Sequence, residues 1–462
     1  MEKFDVIVLG GGPGGYIAAI RASQLGKKVA VVEKEHLGGV CLNKGCIPTK
    51  ALLKSAHSVH ELKSLAKLGI NAELVSLDAK VAVRRANEIS SKIAKGVSFL
   101  MKKNNIAVFD GFGSFKNSNE MNVKLNSGEL VDLEATNYII ATGASYNSFP
   151  GLVHDGDRLI GAWEALKMEE LPKSIGIVGA GAIGVEFAYF WNAFGVDVHM
   201  FELQNHLLPI EDEDSSVEVE RAYKKLKIKL SLGISSVEAL NKGDYALITA
   251  TEKGETKEYQ FDKVLIAIGM TGNITGLGLE GIGVETYKNF IKVNEYNQTN
   301  IGHIYAIGDV SGPPLLAHAA SHEGIIASEH LSGYQTHPIK KENVPGCTYC
   351  YPQVASIGFT ERKVKGLGLE YTIGKVPFRS NGKAIASEEA DGFVKVILGK
   401  EGNLLGAHIV GAVATELIHE YSLFKTMEGV DEDIFATIHP HPTLGETLAE
   451  AVLAARNRSL NF

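Results

Sequence analysis

Two cysteines set five positions apart, Cys41 and Cys46, lie in the segment Gly38-Gly-Val-Cys-Leu-Asn-Lys-Gly-Cys-Ile-Pro-Thr-Lys50. Thiols at this spacing could ligate a metal or exchange with a disulfide. Structural zinc takes four ligands and commonly draws them from short paired spacers, so Cys-x4-Cys alone is a poor metal signature. The remaining cysteines, Cys347 and Cys350, have Cys-x2-Cys spacing but a strand-like setting that suits ordinary buried or half-buried thiols. A zinc site joining both pairs would require distant segments to meet, and no metal site is expected. Disulfide chemistry carries its own demand. A bonded pair needs Cα atoms within about 4.4–6.8 Å, whereas five residues of regular helix advance about 7.5 Å along the axis. Cys41 and Cys46 can bond only where the helix is distorted between them. Gly45 and Pro48 are the residues that permit it, and an irregular first turn is expected.

The elements that position this segment recur in the chain. Phe4-Asp-Val-Ile-Val-Leu reads as a buried strand, Gly10-Gly-Gly12-Pro-Gly-Gly15 as a Gly-x-Gly-x-x-Gly turn, and the residues after it as a helix. The next apolar strand ends at Glu33, 23 positions beyond Gly10. A second copy follows. Ser174-Ile-Gly-Ile-Val leads into Gly179-Ala-Gly181-Ala-Ile-Gly184, and its second strand ends at Glu202, again 23 positions on. One such motif could be a structural glycine turn; two with identical spacing to an acid indicate two dinucleotide-binding βαβ units. The glycines allow a tight turn and close backbone approach to a pyrophosphate, which then meets the free N–H groups of a helix N-terminus. Both terminal acids would accept ribose hydroxyls and repel a 2′-phosphate, favouring NAD over NADP at the second site. Each half closes on a strand ending in glycine, Gly143 and Gly269. The first half is longer, and much of the excess is a helical stretch running from Cys41 toward Lys103. A third strand-like run, Ile304-Tyr-Ala-Ile-Gly-Asp309, precedes a region of short alternating strands such as Phe393-Val-Lys-Val-Ile-Leu and an Ala-rich final helix.

Composition sets the limits. At 462 residues with 45% hydrophobic and 22% charged side chains, the chain has the mix of a multidomain globular protein. Its formal charge of −8 argues against nucleic acid or an anionic membrane as partner. No apolar run approaches the roughly 20 residues of a membrane span. The N-terminus has neither a signal-peptide nor a transit-peptide character, so a cytoplasmic location is expected.

Taken together, the cysteine segment, the paired fingerprints, Ala306-Ile-Gly-Asp309, Leu316-Ala-His-Ala and His439-Pro-His-Pro-Thr-Leu-Gly-Glu446 resemble the pyridine nucleotide–disulfide oxidoreductases from end to end. The resemblance implies an α/β fold with two Rossmann-like domains: an FAD-binding domain over 1–146 and an NAD-binding domain over 147–270. A central domain over 271–341 would complete the FAD site, and a C-terminal α+β dimerisation domain would occupy 342–462. It also implies a homodimer in which each active site takes its base from the partner subunit. The implied reaction is oxidation of protein-bound dihydrolipoamide to lipoamide with reduction of NAD. The lipoyl domain would belong to a 2-oxo-acid dehydrogenase acyltransferase or a glycine-cleavage carrier protein.

Carried over by motif, Cys41 resembles the thiol that exchanges with substrate and Cys46 the sulfur beside the flavin. His441 resembles the base and Glu446 its orienting acid. Around FAD the resemblance places Gly10, Gly12, Gly15, Glu33, Lys50, Gly113, Gly143, Asp309 and Ala317. Around NAD it places Gly179, Gly181, Gly184, Glu186, Glu202, Val237 and Gly269. Plainer roles compete for some of these. Lys50 could be a solvated helix lysine one turn from Lys54, and Asp309 a turn acid. Thr443-Leu-Gly-Glu446 is also a capping-box pattern at the start of the last helix. Met270, Val40 and Gln353 depart from the family's usual residues. Rival readings are a glutathione- or mercuric-reductase-like enzyme on the same scaffold, and a flavoprotein subunit retained for docking alone.

Overall fold

The computed structural model describes residues 2–62, 64–74 and 76–462. Its contacts group the chain into two compact units. The first comprises residues 1–51, 81–147 and 269–339; the second comprises 52–80, 148–268 and 340–462.

The first unit is built on β1 (Glu2–Leu9), followed by α1 (Pro13–Gln24) and β2 (Val29–Glu33). β1 pairs in parallel with β2, Val6 opposite Val29 and Leu9 opposite Val32. Alternate residues of β1 are buried on opposite faces. Val6 and Val8 pack with Ala18, Ala19 and Ala22 of α1, while Ile7 and Leu9 join Met121, Val123 and Ile140. A parallel strand covered on both faces reads as a continuous apolar run, which is how Val-Ile-Val-Leu stands in the sequence. After β2 come α2 (Gly39–Lys44), α3 (Cys46–Leu62) and α4 (Ala79–Lys103). Among the described residues, the expected helical stretch from Cys41 toward Lys103 holds these three α-helices and a 3-10 turn, Leu65–Leu68. The break falls at Gly45, whose φ of −152° and ψ of −110° no helix residue adopts.

The sheet continues through β3 (Ala107–Asn117), β4 (Glu120–Leu125) and β5 (Leu130–Ile140). β5 lies parallel to β1 and also pairs with Ile304–Ala306, the third strand-like run, Ile304 opposite Tyr138. That pairing delivers Gly308 and Asp309 to the end of the sheet where the Gly10 turn leaves β1. The helix Ala317–Leu331 returns against α1 through small residues: a Cβ on Gly324 would stand 2.6 Å from the Gly14 carbonyl oxygen.

In the second unit, five parallel strands run in the order 229–232, 197–202, 174–178, 263–266, 159–160, with an antiparallel trio over 236–261. Residues 346–411 form a five-stranded antiparallel sheet packed on the helices Ala414–Thr426 and Glu446–Ala455. The strand Phe393–Gly399 is buried at every position, not alternately. It is an inner strand of that sheet, and its one charged residue is neutralised in place: Lys395 Nζ lies 2.8, 2.6 and 2.8 Å from Asp212, Asp214 and Glu361.

Candidate active site

The two glycine turns have matching geometry. Gly10 and Gly179 take φ of +108° and +100°, and a Cβ on either would stand 2.2 or 2.3 Å from a carbonyl oxygen of the strand beside it. A Cβ on Gly15 or Gly184 would meet the carbonyl oxygen of Gly10 or Gly179 at 1.9 or 2.1 Å, so helix and strand touch through glycine. Gly12 and Gly181 are the N-caps of their helices, with no side chain supplying the cap. Both helix N-termini therefore keep backbone N–H groups available to an anion; a Cβ on Gly181 would meet nothing within 4 Å, and one on Gly12 only the Gly39 Cα at 3.8 Å.

The acids do something that spacing alone did not reveal. Glu33 accepts the Gly11 N–H at 2.7 Å with one carboxylate oxygen and the Glu35 N–H at 2.8 Å with the other. Glu202 repeats the pattern with Ala180 and Gln204, both at 2.8 Å. Each acid thus ties the glycine turn to the residues leaving its own strand, and its carboxylate is held in place by both. Glu33 is buried, whereas Glu202 is only partly so.

The break at Gly45 sets Cys41 in the middle of α2 and Cys46 at the first position of α3. Both are thiols in the structure. Cys41 is pushed far above the usual thiol range, first by its hydrogen bond to Cys46 and then by burial and the charge of Cys46. Lys50 acts on it in the opposite sense, and Asp309 in the same sense. Burial raises Asp309 to about 6. It sits in the single turn Gly308–Ser311, where Gly308 takes φ +68° and gives its N–H to Glu323 at 2.6 Å. Cys41, Cys46, Lys50 and Asp309 thus share one electrostatic neighbourhood. Tyr16, which motif reading passed over, belongs to it as well, its hydroxyl raised by burial and by Cys41. Its position directly after Gly15 was the available signal.

Other expected residues are placed as follows. Ala317 opens the helix Ala317–Leu331. Gly113 lies in β3, where a Cβ would collide with Leu9 and Met121 at 2.7 and 2.8 Å. Gly143 takes φ +70° and its carbonyl accepts the Asn273 N–H at 2.9 Å. Gly269 takes φ +99°, accepts the Asn147 N–H at 3.0 Å, and opens a segment of the first unit. Glu186 is buried and accepts the Tyr349 N–H at 2.9 Å; Val237 pairs with Ala250 in the antiparallel trio. Of the three departures, Gln353 has a clear local role, accepting the Thr415 O–H at 2.8 Å and N–H at 3.3 Å to close the helix Ala414–Thr426. Met270 pairs with Tyr146, and Val40 is partly exposed on α2. Cys350 is buried and Cys347 half-buried on the strand Gly346–Thr348.

The second unit carries His441 and Glu446. His441 Nδ1 lies 2.8 Å from one oxygen of Glu446, and the other oxygen accepts the Thr443 N–H at 2.8 Å. The expected capping box does not form: the last helix begins at Glu446 with Gly445 as its N-cap, and the Thr443 hydroxyl goes to the Pro440 carbonyl. The Thr443 N–H first, and then His441, hold that carboxylate below its usual range. An ionised carboxylate can only accept, so Nδ1 carries the hydrogen and Nε2 is left to take a proton. The imidazole is 80% exposed.

Residues 4–324 match the pyridine nucleotide-disulphide oxidoreductase model, and residues 344–452 match the dimerisation domain of the same enzymes. The chain belongs to the pyridine nucleotide–disulphide oxidoreductase family. Curated relatives named dihydrolipoyl dehydrogenase from Zymomonas mobilis and Bacillus subtilis are each 44% identical, covering 100% of this chain and 100% and 99% of theirs. The crystal structure of LpdA from Mycobacterium tuberculosis superimposes with a TM-score of 0.91 at 25% identity, covering 98% of this chain and 99% of that one. The disulfide reductase RclA from Escherichia coli, at 24% identity and a TM-score of 0.86, shares the fold over 98% of this chain and 99% of its own.

As a member of this oxidoreductase family the protein is an enzyme that uses FAD and NAD. The uncapped helix N-termini and the cleared space at Gly12 and Gly181 fit the two pyrophosphates. Among the described residues no cluster of three or more His, Cys, Asp or Glu could hold a metal, and no helix is long and apolar enough to cross a membrane.

Proposed function

We propose that this enzyme oxidises the dithiol of protein-bound dihydrolipoamide, using Cys41 and Cys46 as its redox pair and NAD as final acceptor. The carrying observation is the helix break at Gly45, which brings the two thiols into hydrogen-bond contact with Lys50 and Asp309 around them. The curated relatives' shared name supports the substrate.

In the oxidised enzyme Cys41 and Cys46 are joined by a disulfide bond. His441 Nε2, on the tautomer fixed by Glu446, takes the proton of one substrate thiol. The thiolate so formed, which is the reactive species, attacks Cys41 Sγ. Attack at Cys41 breaks the S–S bond and frees Cys46 as a thiolate. The second substrate thiol, giving its proton to the departing Cys41 sulfur, attacks the mixed disulfide, closes the cyclic lipoyl disulfide and releases Cys41 as a thiol. Two electrons and two protons, one on His441 and one on Cys41, have passed to the protein. FAD, bound by Gly10, Gly12, Gly15, Glu33, Lys50, Gly113, Gly143, Asp309 and Ala317, supplies the two-electron link from thiols to nicotinamide. Gly179, Gly181, Gly184, Glu186, Glu202, Val237 and Gly269 hold and orient NAD. The partial exposure of Glu202, against the burial of Glu33, suits a nucleotide that comes and goes beside one that stays.

The active unit is a homodimer, supported by the match to the dimerisation domain and by the exposure of His441. Its domains are the four given above: 1–146, 147–270, 271–341 and 342–462. The other partner is a lipoyl domain of a 2-oxo-acid dehydrogenase or glycine-cleavage complex. The site of action is the cytoplasm, where thiols are kept reduced.

The redox pair is tested by thiol mapping. Protein reduced anaerobically with NADH and alkylated should gain two labels relative to the oxidised protein, both on the peptide carrying Cys41 and Cys46. New labels on Cys347 and Cys350 instead would overturn the assignment.

A further inference from the structure

His441 sits in a stretch without regular secondary structure, residues 437–445, between the helices Asp431–Ala436 and Glu446–Ala455. A base in an irregular segment is aimed only as well as that segment is held. On the C-terminal side of His441 the ties are Glu446 and Asn381. The side-chain N–H2 of Asn381 donates to the Thr443 carbonyl at 2.9 Å and to the Thr447 hydroxyl at 3.0 Å, while its oxygen accepts the Ala384 N–H at 3.0 Å. Asn381 is buried, so its bonds are shielded from competing water.

On the N-terminal side a second histidine–carboxylate pair performs the corresponding task. His439 Nε2 lies 2.8 Å from Glu420 on the helix Ala414–Thr426, and its Nδ1 lies 3.2 Å from the Thr437 carbonyl oxygen. The imidazole is only 10% exposed, against 80% for His441. Two residues apart, the rings have opposite surroundings: one is packed with an oxygen beside each nitrogen, the other is held at Nδ1 and open at Nε2. Pro440 between them fixes φ and transmits the placement. The Pro440 carbonyl in turn accepts the Thr443 hydroxyl at 2.8 Å.

We propose that the Glu420–His439 pair is a positioning device for the base: it ties the N-terminal side of the 437–445 segment to a neighbouring helix and so aims His441 Nε2. His439 and Glu420 act through His441 and touch neither substrate nor cofactor. The inference rests on His441 being the base of the reaction proposed above.

The test compares E420A, E420Q and H441Q in the intact, FAD-loaded protein. Rates are followed against pH with dihydrolipoamide and NAD, and separately for NADH oxidation with a one-electron acceptor, which needs no thiol base. E420A should lower kcat with dihydrolipoamide by about tenfold, a loss typical of a loosened supporting contact. It should leave KM for NAD, the thermal midpoint and the NADH–acceptor rate unchanged. E420Q, whose amide oxygen still accepts from Nε2, should recover most of that loss. Its recovery separates positioning from electrostatics at a distance. An E420A enzyme with wild-type dithiol turnover beside a crippled H441Q would overturn the positioning role alone. Equal loss in both half-reactions, or a lowered thermal midpoint that tracks the rate, would make Glu420 a merely structural residue and also overturn it. If H441Q itself retained full dithiol turnover, the fault would lie in the assignment of the base.

Discussion

C41S should lower dihydrolipoamide–NAD turnover by on the order of 10⁴-fold or more, as expected when a covalent nucleophile is lost. A hydroxyl neither joins a disulfide nor accepts attack by thiolate, so electrons have no entry from the substrate. Retained turnover in C41S would remove the pair from the reaction altogether and favour a docking role for the protein.

H441Q should lower the dithiol half-reaction by on the order of 10²-fold or more, corresponding to about 2.7 kcal/mol of lost transition-state stabilisation. The effect should be confined to one half of the cycle, because reduction of the enzyme by NADH requires no proton from a thiol. Its pH signature follows from Glu446. That carboxylate is held below its usual range by the Thr443 N–H and by His441, so it stays ionised as pH falls through the weakly acidic region. The bond that orients the imidazole at Nδ1 therefore persists through that region. Stopped-flow measurement of the two half-reactions between pH 5 and 8 distinguishes this from a general loss of fold, which would slow both.

Much of this architecture was legible in the chain because it rests on backbone demands that few residues satisfy. Gly10 and Gly179 occupy positive φ beside a strand carbonyl, where a Cβ has no space, so the two βαβ units announced themselves as a repeated glycine pattern. The interruption between Cys41 and Cys46 could be read from Gly45 and Pro48, since neither suits a helix interior, and the break falls at Gly45. Legibility failed where a side chain serves a partner far away in sequence. Nothing near Lys395 marks it as buried, because the carboxylates that neutralise it stand at 212, 214 and 361. Glu420 likewise lies 19 positions from His439, with no periodic signal joining them. Glu446 shows the intermediate case. Its two possible roles were both visible locally; its carboxylate meets His441 and the Thr443 N–H, but the last helix begins at Glu446 itself, so Thr443 is not the N-cap. The acids Glu33 and Glu202 were picked out for the ribose they are expected to read, while their grip on the turn N–H groups depends on how the strand end folds back.

The most direct test of the central claim is the appearance of NADH when purified, FAD-loaded protein is mixed with dihydrolipoamide and NAD, with NADP and reduced glutathione substituted in parallel. Rapid NADH formation with dihydrolipoamide and NAD, and little with either substitute, is the expected result. No turnover with that pair, together with activity on glutathione or with NADP, would contradict it and leave the scaffold serving another disulfide substrate.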